Sequence, residues 1–222
     1  MTKLISQTIL LFSLFLGSIS CNKENTIIEN NTSAISFSDP QVGQSSTYVH
    51  LYGENYYSNN NFDYKYTKDT LTLEIISSAD KRWLIKEVYK EFEKVTQEIQ
   101  RFDLIIQNDS FWIETNKDYR LDYSRLLPLN KKYPLNPSNV SKVDMIGWKI
   151  TPECVTFPCI GIDQSCNLFG RTYQDVLIHH DMTPLTYDGH AELIVYSSRD
   201  GLIRTIFYGG WKPFGFGWDL LR

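Results

Sequence analysis

A pair of β-type sequence runs joined by a tight turn constrains the fold of this chain more than any other feature. Residues 192–196 and 202–207 are rich in β-branched and aromatic side chains, and the turn Arg199-Asp200-Gly201 lies between them. Asp-Gly between such runs is the strongest short signal for a β-hairpin. We therefore expect two antiparallel strands here, within a sheet whose chain reverses direction at tight turns.

Alternation of apolar and polar residues recurs earlier in the chain. Residues 70–75 alternate as a half-buried strand does. Residues 102–106 alternate as well, and an Asn-Asp-Ser turn at 108–110 connects them to a returning run at 111–114. Together these patterns predict a mainly β fold: an antiparallel sheet, barrel or sandwich with hairpin connections.

The segment at about 80–106 supports a second interpretation. Ser77 or Ser78 is a suitable N-cap for a helix, and no Gly or Pro interrupts the residues after it. Apolar residues recur there at helical spacings of three and four: Leu84, Val88, Phe92, Val95, Ile99, Phe102 and Ile106. The alternative fold is therefore α+β, with one amphipathic helix at about 80–106.

The N-terminus has the arrangement of a secretory signal. Lys3 supplies a positive charge, an apolar run occupies 9–16, and small residues at 17–20 precede Cys21. The apolar run is too short to span a bilayer, which needs about 20 apolar residues. We expect residues 1–20 to be a signal peptide.

The Ser-Ile-Ser-Cys segment at 18–21 resembles a lipobox, the signal-peptidase II motif of bacterial lipoproteins, although Ser18 stands where Leu is commonest. The resemblance implies cleavage before Cys21 and lipidation of its sulfur, with palmitate-type acyl chains that hold the protein to a membrane. The Asn-Lys-Glu segment at 22–24 resembles the export signal of Bacteroidota surface lipoproteins. The location implied is the bacterial cell envelope, with a lipid anchor in the outer membrane.

Composition divides the chain beyond the signal peptide into a tether and a domain. Residues 21–46, which begin with the lipidated Cys21, are polar and bury too little surface to offset their ordering entropy, so they predict a flexible tether. Residues 47–222 have the length of a single globular domain, and a chain that is 42% hydrophobic can form a core. The net charge of −4 and the lack of a basic stripe argue against nucleic-acid binding.

Three cysteines lie within a short stretch: Cys154, Cys159 and Cys166. In an oxidising compartment they predict one disulfide, with Cys154–Cys159 favoured and one thiol left over. Zinc sites favour closer cysteine pairs, although a nearby histidine offers a fourth ligand for a zinc alternative.

Residues 177–192 hold three of the four histidines, with carboxylates between them. Imidazole and carboxylate together suit zinc or another first-row metal, and they also suit general acid–base chemistry. The candidate metal ligands are His179, His180, His190 and Glu192. Turn residues at 184 and 188–189 favour a simpler interpretation, in which these side chains are solvated or bonded to the loop backbone.

The tail at 209–218 is rich in glycine and aromatic residues. Such a segment packs on its own sheet and closes the core, or it forms a platform for a sugar or a protein partner. The candidate platform residues are Trp211, Phe214, Phe216 and Trp218.

These features favour a lipid-anchored envelope protein that is a binding or interaction module, not an enzyme, and that needs no cofactor. Its expected partners are the membrane and an envelope protein or glycan. No nucleophile elbow, zinc-protease helix or phosphate-binding glycine loop occurs in the sequence. The alternative is a metal-dependent envelope hydrolase that uses residues 179–192.

Overall fold

The alternating runs of the sequence form β-strands. The computed structural model describes residues 38–54, 63–94, 97–115, 124–137, 141–142, 144–146, 149–151, 158–182, 191–208 and 214–221. Within these ranges the chain contains no helix, which confirms the mainly β prediction. The strands are β1 (Ser45–Glu54), β2 (Asp63–Ala79), β3 (Arg82–Lys90), β4 (Gln97–Gln107), β5 (Ser110–Thr115), β6 (Tyr133–Pro134), β7 (Ser141–Lys142), β8 (Asp144–Ile146), β9 (Lys149–Thr151), β10 (Cys159–Leu168), β11 (Arg171–Met182), β12 (Ala191–Ser197), β13 (Gly201–Tyr208) and β14 (Phe214–Leu220).

One large sheet carries the fold. Twelve described strands lie in the order β6-β5-β4-β3-β2-β1-β14-β13-β12-β11-β10-β7, and β8 pairs with β9 in a separate ribbon. Neighbouring strands of the large sheet are antiparallel except β10 and β7. Because β14 pairs with both β1 and β13, the first and last strands meet in the middle of the sheet.

Both predicted hairpins are confirmed. Gln107 pairs with Ser110 across the β4–β5 turn, and Ser197 pairs with Gly201 across the β12–β13 turn. The backbone explains the turn residues: Asn108 and Asp109 have φ of 50° and 53°, and Gly201 has φ of 76°. Asn, Asp and Gly tolerate these left-handed conformations better than other residues do.

The alternative helix at about 80–106 is wrong, because this segment forms β3, a turn and β4. Its burial has the strand period of two: Trp83, Ile85 and Glu87 are buried, whereas Leu84 and Val88 are only partly covered. The helical spacing arose because both faces of these strands carry apolar residues. Long antiparallel pairing with β2 and β4 then stabilises the extended backbone more than local propensity favours a helix.

The sheet bends back on itself, and β12 carries buried core side chains on both of its faces: Ile194 and Tyr196 on the inner face, and Leu193 and Val195 on the outer face. Tyr196 on β12 donates a hydrogen bond to the carbonyl oxygen of Pro134 on β6, although β6 and β12 lie far apart in the strand order. The segment 124–127 also contributes side chains to the core. Ser124 Oγ and the Arg125 amide donate hydrogen bonds to the buried Glu87 carboxylate at 2.7 and 3.0 Å. These two hydrogen bonds hold the next residues, Leu126 and Leu127, in the core.

The aromatic tail belongs in part to the sheet. Trp218 on β14 is buried, packs against His50 and Tyr89, and donates its indole N–H to the Arg125 carbonyl oxygen at 2.9 Å. Gly217 lies so close to β13 that a Cβ there would overlap the Thr205 carbonyl oxygen. The glycine spacing of the tail therefore allows β14 to pack tightly.

The outer face carries a buried ion pair. Arg204 on β13 and Asp219 on β14 are register partners, joined by Nε–Oδ1 and Nη2–Oδ2 contacts of 2.6 and 2.8 Å. Tyr66 covers the pair and donates its hydroxyl to Asp219 Oδ2 at 2.8 Å. The tip of the β10–β11 hairpin lies over this site, with the Phe169 ring 4.7 Å from the ring of Tyr66.

Residues 38–46, which the sequence assigns to the tether, take part in the fold. The amide of Gly43 donates to the Ile75 carbonyl oxygen, and the Ile75 amide donates to the Gln44 carbonyl oxygen, at 2.8 and 3.0 Å. All the strands lie within Ala34–Arg222, which forms one compact unit. The signal peptide lies outside the described residues and stays a prediction. Among the residues described, no helix has the length and apolar character to cross a membrane.

Candidate binding cavity

The inner face of the bent sheet encloses an apolar cavity of about 330 Å³. Its wall comes from β1 to β5 on one side, from β12 and β13 on the other, and from the inserted segment 124–127. Most of the lining side chains are aliphatic or aromatic: Tyr48, Leu73, Ile75, Ile85, Leu104, Ile106, Phe111, Ile113, Leu126, Leu127, Tyr196 and Leu202. Among the lining residues of these strands and of the segment 124–127, the two tyrosines are the only ionisable side chains.

The two tyrosine hydroxyls do not make the cavity polar. Tyr48 donates its hydroxyl to the Leu202 carbonyl oxygen at 3.0 Å, and Tyr196 donates its hydroxyl to Pro134. Burial raises the pKa of both phenols, so they stay neutral. Both rings line the cavity, whereas their hydroxyl groups are bonded to backbone carbonyl oxygens.

The polar lining residues come mainly from the segment 38–44 and from the β12–β13 turn, and we call this polar side of the cavity its mouth. The segment 38–44 crosses it, and Ser38 donates through its amide and hydroxyl to the Ser198 carbonyl oxygen at 3.4 and 3.1 Å. In the same segment, Asp39 Oδ2 lies 2.6 Å from Lys81 Nζ. The segment 38–44 thus links the β12–β13 turn to the β2–β3 turn at the mouth of the cavity.

A partly buried polar cluster adjoins the cavity wall. Lys131 Nζ is 2.8 Å from Asp181 Oδ2 and 2.5 Å from Glu192 Oε1. Tyr133 donates to Glu192 Oε2 at 3.4 Å, and its ring meets the ring of His179 edge-on at 5.3 Å. Phe111, which stacks on Tyr133 at 5.2 Å, is shared between this cluster and the cavity wall.

Burial and charge decide the protonation states of this cluster. Burial, together with the nearby Lys131 ammonium, lowers the pKa of His179 to about 4, so its imidazole is neutral near pH 7. Burial opposes the charge of Lys131, but hydrogen bonds to Asp181 and Glu192 overcome it and raise the lysine pKa. The cluster is therefore an ion-paired lysine beside a neutral histidine, a stable arrangement that joins the segment before β6 to β11 and β12.

The structure brings two of the four predicted metal ligands together and places a third on the other face of the sheet. His179 and Glu192 lie on the inner face, and His179 Nδ1 is 3.9 Å from Glu192 Oε1. His180 points to the outer face, because adjacent residues of a strand alternate. His190 lies outside the described residues. In the part of the chain that is described, no group of three or more His, Cys, Asp and Glu side chains is arranged to hold a metal ion.

The cysteine stretch has one bonded and one free sulfur among its described members. Cys159 is disulfide-bonded, and Cys166 is a free, buried thiol whose pKa is raised to about 11 by burial. Cys154 lies outside the described residues, so the Cys154–Cys159 pairing stays a prediction. Cys21 and its lipidation lie outside them as well.

Two residues of the predicted aromatic platform, Phe216 and Trp218, differ in their exposure to solvent. Trp218 is buried in the core, whereas Phe216 is 45% exposed and lies 5.7 Å from the ring of Phe207. Trp211 and the side chain of Phe214 lie outside the described residues. Trp218 therefore closes the core and is unavailable as a binding surface.

Neither the cavity nor the partners of Glu192 could be found from the sequence. Lys131 and Tyr133 reach Glu192 from a segment about 60 residues earlier, and no sequence pattern connects them. The cavity wall draws on five strands before residue 115 and two after residue 191. Apolar alternation marks its residues as inward-facing but does not reveal that space is left between them.

No protein-family model matches the chain, and no curated protein matches it either. Among solved structures it is similar to a protein of Bacteroides fragilis with a YmcC-like fold, assigned as an exported protein. That match has 12% sequence identity and a TM-score of 0.45, and it covers 84% of this chain and 98% of the other.

Proposed function

We propose that this protein is a lipid-anchored envelope protein that binds the hydrocarbon part of an amphiphile in its inner cavity. The apolar wall of that cavity, described above, is the observation that carries the proposal. Ligand sites are concave, mostly apolar and about 300–1,000 Å³ in volume, with a few polar groups at defined places. The cavity has this character: most of its lining is apolar, and its polar lining residues come mainly from the segment 38–44 and the β12–β13 turn.

Hydrocarbon burial supplies the driving force. Each methylene transferred from water into an apolar site contributes about 0.8 kcal/mol. A chain of several methylenes would therefore bind measurably even after the costs of association are subtracted. The polar cluster offers no comparable site, because its charges are already paired and aromatic rings separate it from the cavity. The hydrolase alternative uses residues 179–192, of which His190 lies outside the described residues.

Filling the cavity tests the proposal. Ile106 lines the cavity on β4, so Ile106→Trp should occupy the space that the ligand needs. We expect at least a tenfold loss of affinity for decanol, about 1.4 kcal/mol, measured by displacement of a fluorescent fatty-acid probe. The chain from residue 22 suits this assay because it contains the whole compact unit.

Ile99→Trp is the matched control for the cavity test. Ile99 lies on the same strand but is 52% exposed, so this variant adds the same side chain outside the cavity and should bind as the unmodified protein does. Melting curves of both variants check that the fold is intact. Equal decanol affinities for a folded Ile106→Trp and the control would contradict the proposal.

The anchor is proposed from the lipobox-like segment and is tested separately. Ser38 lies 17 residues after Cys21, and a flexible tether of that length spans roughly 20–25 Å on average. The cavity mouth beside Ser38 would then stay within reach of the membrane surface, where amphiphiles are concentrated.

Cys21→Ala is expected to abolish metabolic labelling with a palmitate analogue and to block signal-peptidase II processing. The sulfur of Cys21 is the atom to which the lipid is attached, so no other residue replaces it. Cys166→Ala is the control, since that thiol is buried and free. Retained labelling and processing of the Cys21→Ala protein would refute the anchor.

A further inference from the structure

We propose that the amphiphile is an anion and that Arg199 pairs with its head group at the cavity mouth. This inference rests on the proposed function, because it assigns the polar end of a ligand whose hydrocarbon part enters the cavity. The chemistry recognised is a carboxylate or phosphate joined to an aliphatic chain. Such a head group needs a positively charged side chain that is not already paired, so the charged residues at the mouth are considered in turn.

Both acids that line the mouth are engaged. Asp39 pairs with Lys81 at 2.6 Å. Asp200 pairs with Arg171 at 3.3 Å and accepts a hydrogen bond from Ser197 Oγ at 3.2 Å. Because each carboxylate has a cation, these two pairs leave no net charge at the opening.

Arg199 is the third charged residue among those that line the cavity, after Asp39 and Asp200. Its side chain is exposed, and its guanidinium makes no ion pair or hydrogen bond with another described residue. Its backbone is nevertheless fixed, since the Arg199 amide donates to Ser197 Oγ at 3.3 Å within the β12–β13 turn. When the two acids are counted with their partners Lys81 and Arg171, which lie outside the lining, Arg199 adds a net charge of +1 at the edge of an apolar cavity.

A guanidinium in this position suits an anionic head group. Its planar donors match the oxygens of a carboxylate or phosphate in a two-point contact. Leu202 comes three residues after Arg199 and lies on the cavity wall. A head group at Arg199 would thus place the attached chain at the entrance, so that charge and hydrocarbon are recognised together.

The test compares three probes that share a ten-carbon chain: decanoate, decyl phosphate and decanol. Binding is measured by probe displacement at mildly alkaline pH, where both acids are ionised. Arg199→Gln is expected to weaken decanoate and decyl phosphate about tenfold and to leave decanol unchanged. Arg199→Lys should retain part of the preference, and Lys90→Gln, which removes an exposed charge elsewhere, should retain all of it.

The outcomes separate this inference from the proposed function. If decanol binds as tightly as the two anions and Arg199→Gln changes nothing, the head-group assignment is overturned while the apolar cavity function stands. If none of the three probes binds, both are overturned. If inorganic phosphate alone competes as well as decyl phosphate does, the ligand is a free anion, which also overturns the assignment of an amphiphile.

Discussion

A chain that ends before residue 209 is expected to show no cooperative thermal transition. The deletion removes β14, which pairs with β1 on one side and β13 on the other, so both halves of the sheet lose their central connection. It also removes buried Trp218 and Leu220 and leaves Arg204 without its carboxylate. Truncating a buried aromatic costs about 3–5 kcal/mol, and a domain holds only about 5–15 kcal/mol in total.

Two point variants in β14 distinguish core packing from surface binding. Trp218→Ala removes a buried ring and its hydrogen bond to Arg125, and should lower the free energy of unfolding by about 3–5 kcal/mol. Phe216 lies two residues away on the same strand but is 45% exposed, so Phe216→Ala should cost much less, about 1 kcal/mol. Thermal melting and urea titration measure both. A deletion variant that melts like the intact chain would contradict the central position of β14.

Asp219→Ala is expected to lower the free energy of unfolding by about 3–5 kcal/mol, the second large effect. Arg204 and Asp219 are both buried, and the substitution leaves the guanidinium without its two-point partner. An uncompensated buried charge is far more costly than the loss of an exposed ion pair. The Tyr66 hydroxyl, which donates to Asp219, loses its acceptor at the same time.

Urea titration of Asp219→Ala against Glu74→Ala measures this effect. Glu74 pairs with Lys86 at 3.1 Å, but both side chains are substantially exposed, so its loss should cost at most about 1 kcal/mol. Replacing both members of the buried pair, as in Arg204→Met with Asp219→Leu, should recover much of the stability because no charge is left in the core. Similar losses for Asp219→Ala and Glu74→Ala would show that the buried pair has no special cost.

The bent sheet explains how an antiparallel fold produces a cavity without a separate domain. Its inner face is covered by the segment 124–127, which the buried Glu87 holds in place through Ser124 and the Arg125 amide. That segment fills only part of the interior, and the remaining space opens between two hairpin turns. Loss of Glu87 would therefore affect the shape of the cavity as well as stability.

Local sequence determined the hairpins. The turns at 108–110 and 199–201 could be identified because Asn, Asp and Gly favour left-handed backbone, a preference that acts within a few residues. The strand at 70–75 was evident for a similar reason, since side chains alternate every second residue whatever the strand pairs with. The mainly β class results from such local preferences.

Tertiary structure decided everything that depends on which strands become neighbours. The 80–106 segment satisfies both helical and strand periods, and only pairing with β2 and β5 selects the strand. His179 and His180 look like a pair in the sequence, yet the sheet places them on opposite faces and gives Glu192 the distant Lys131 as its partner. The cavity also depends on which residues lie close in space, because strands from both halves of the chain meet across the core to form its wall.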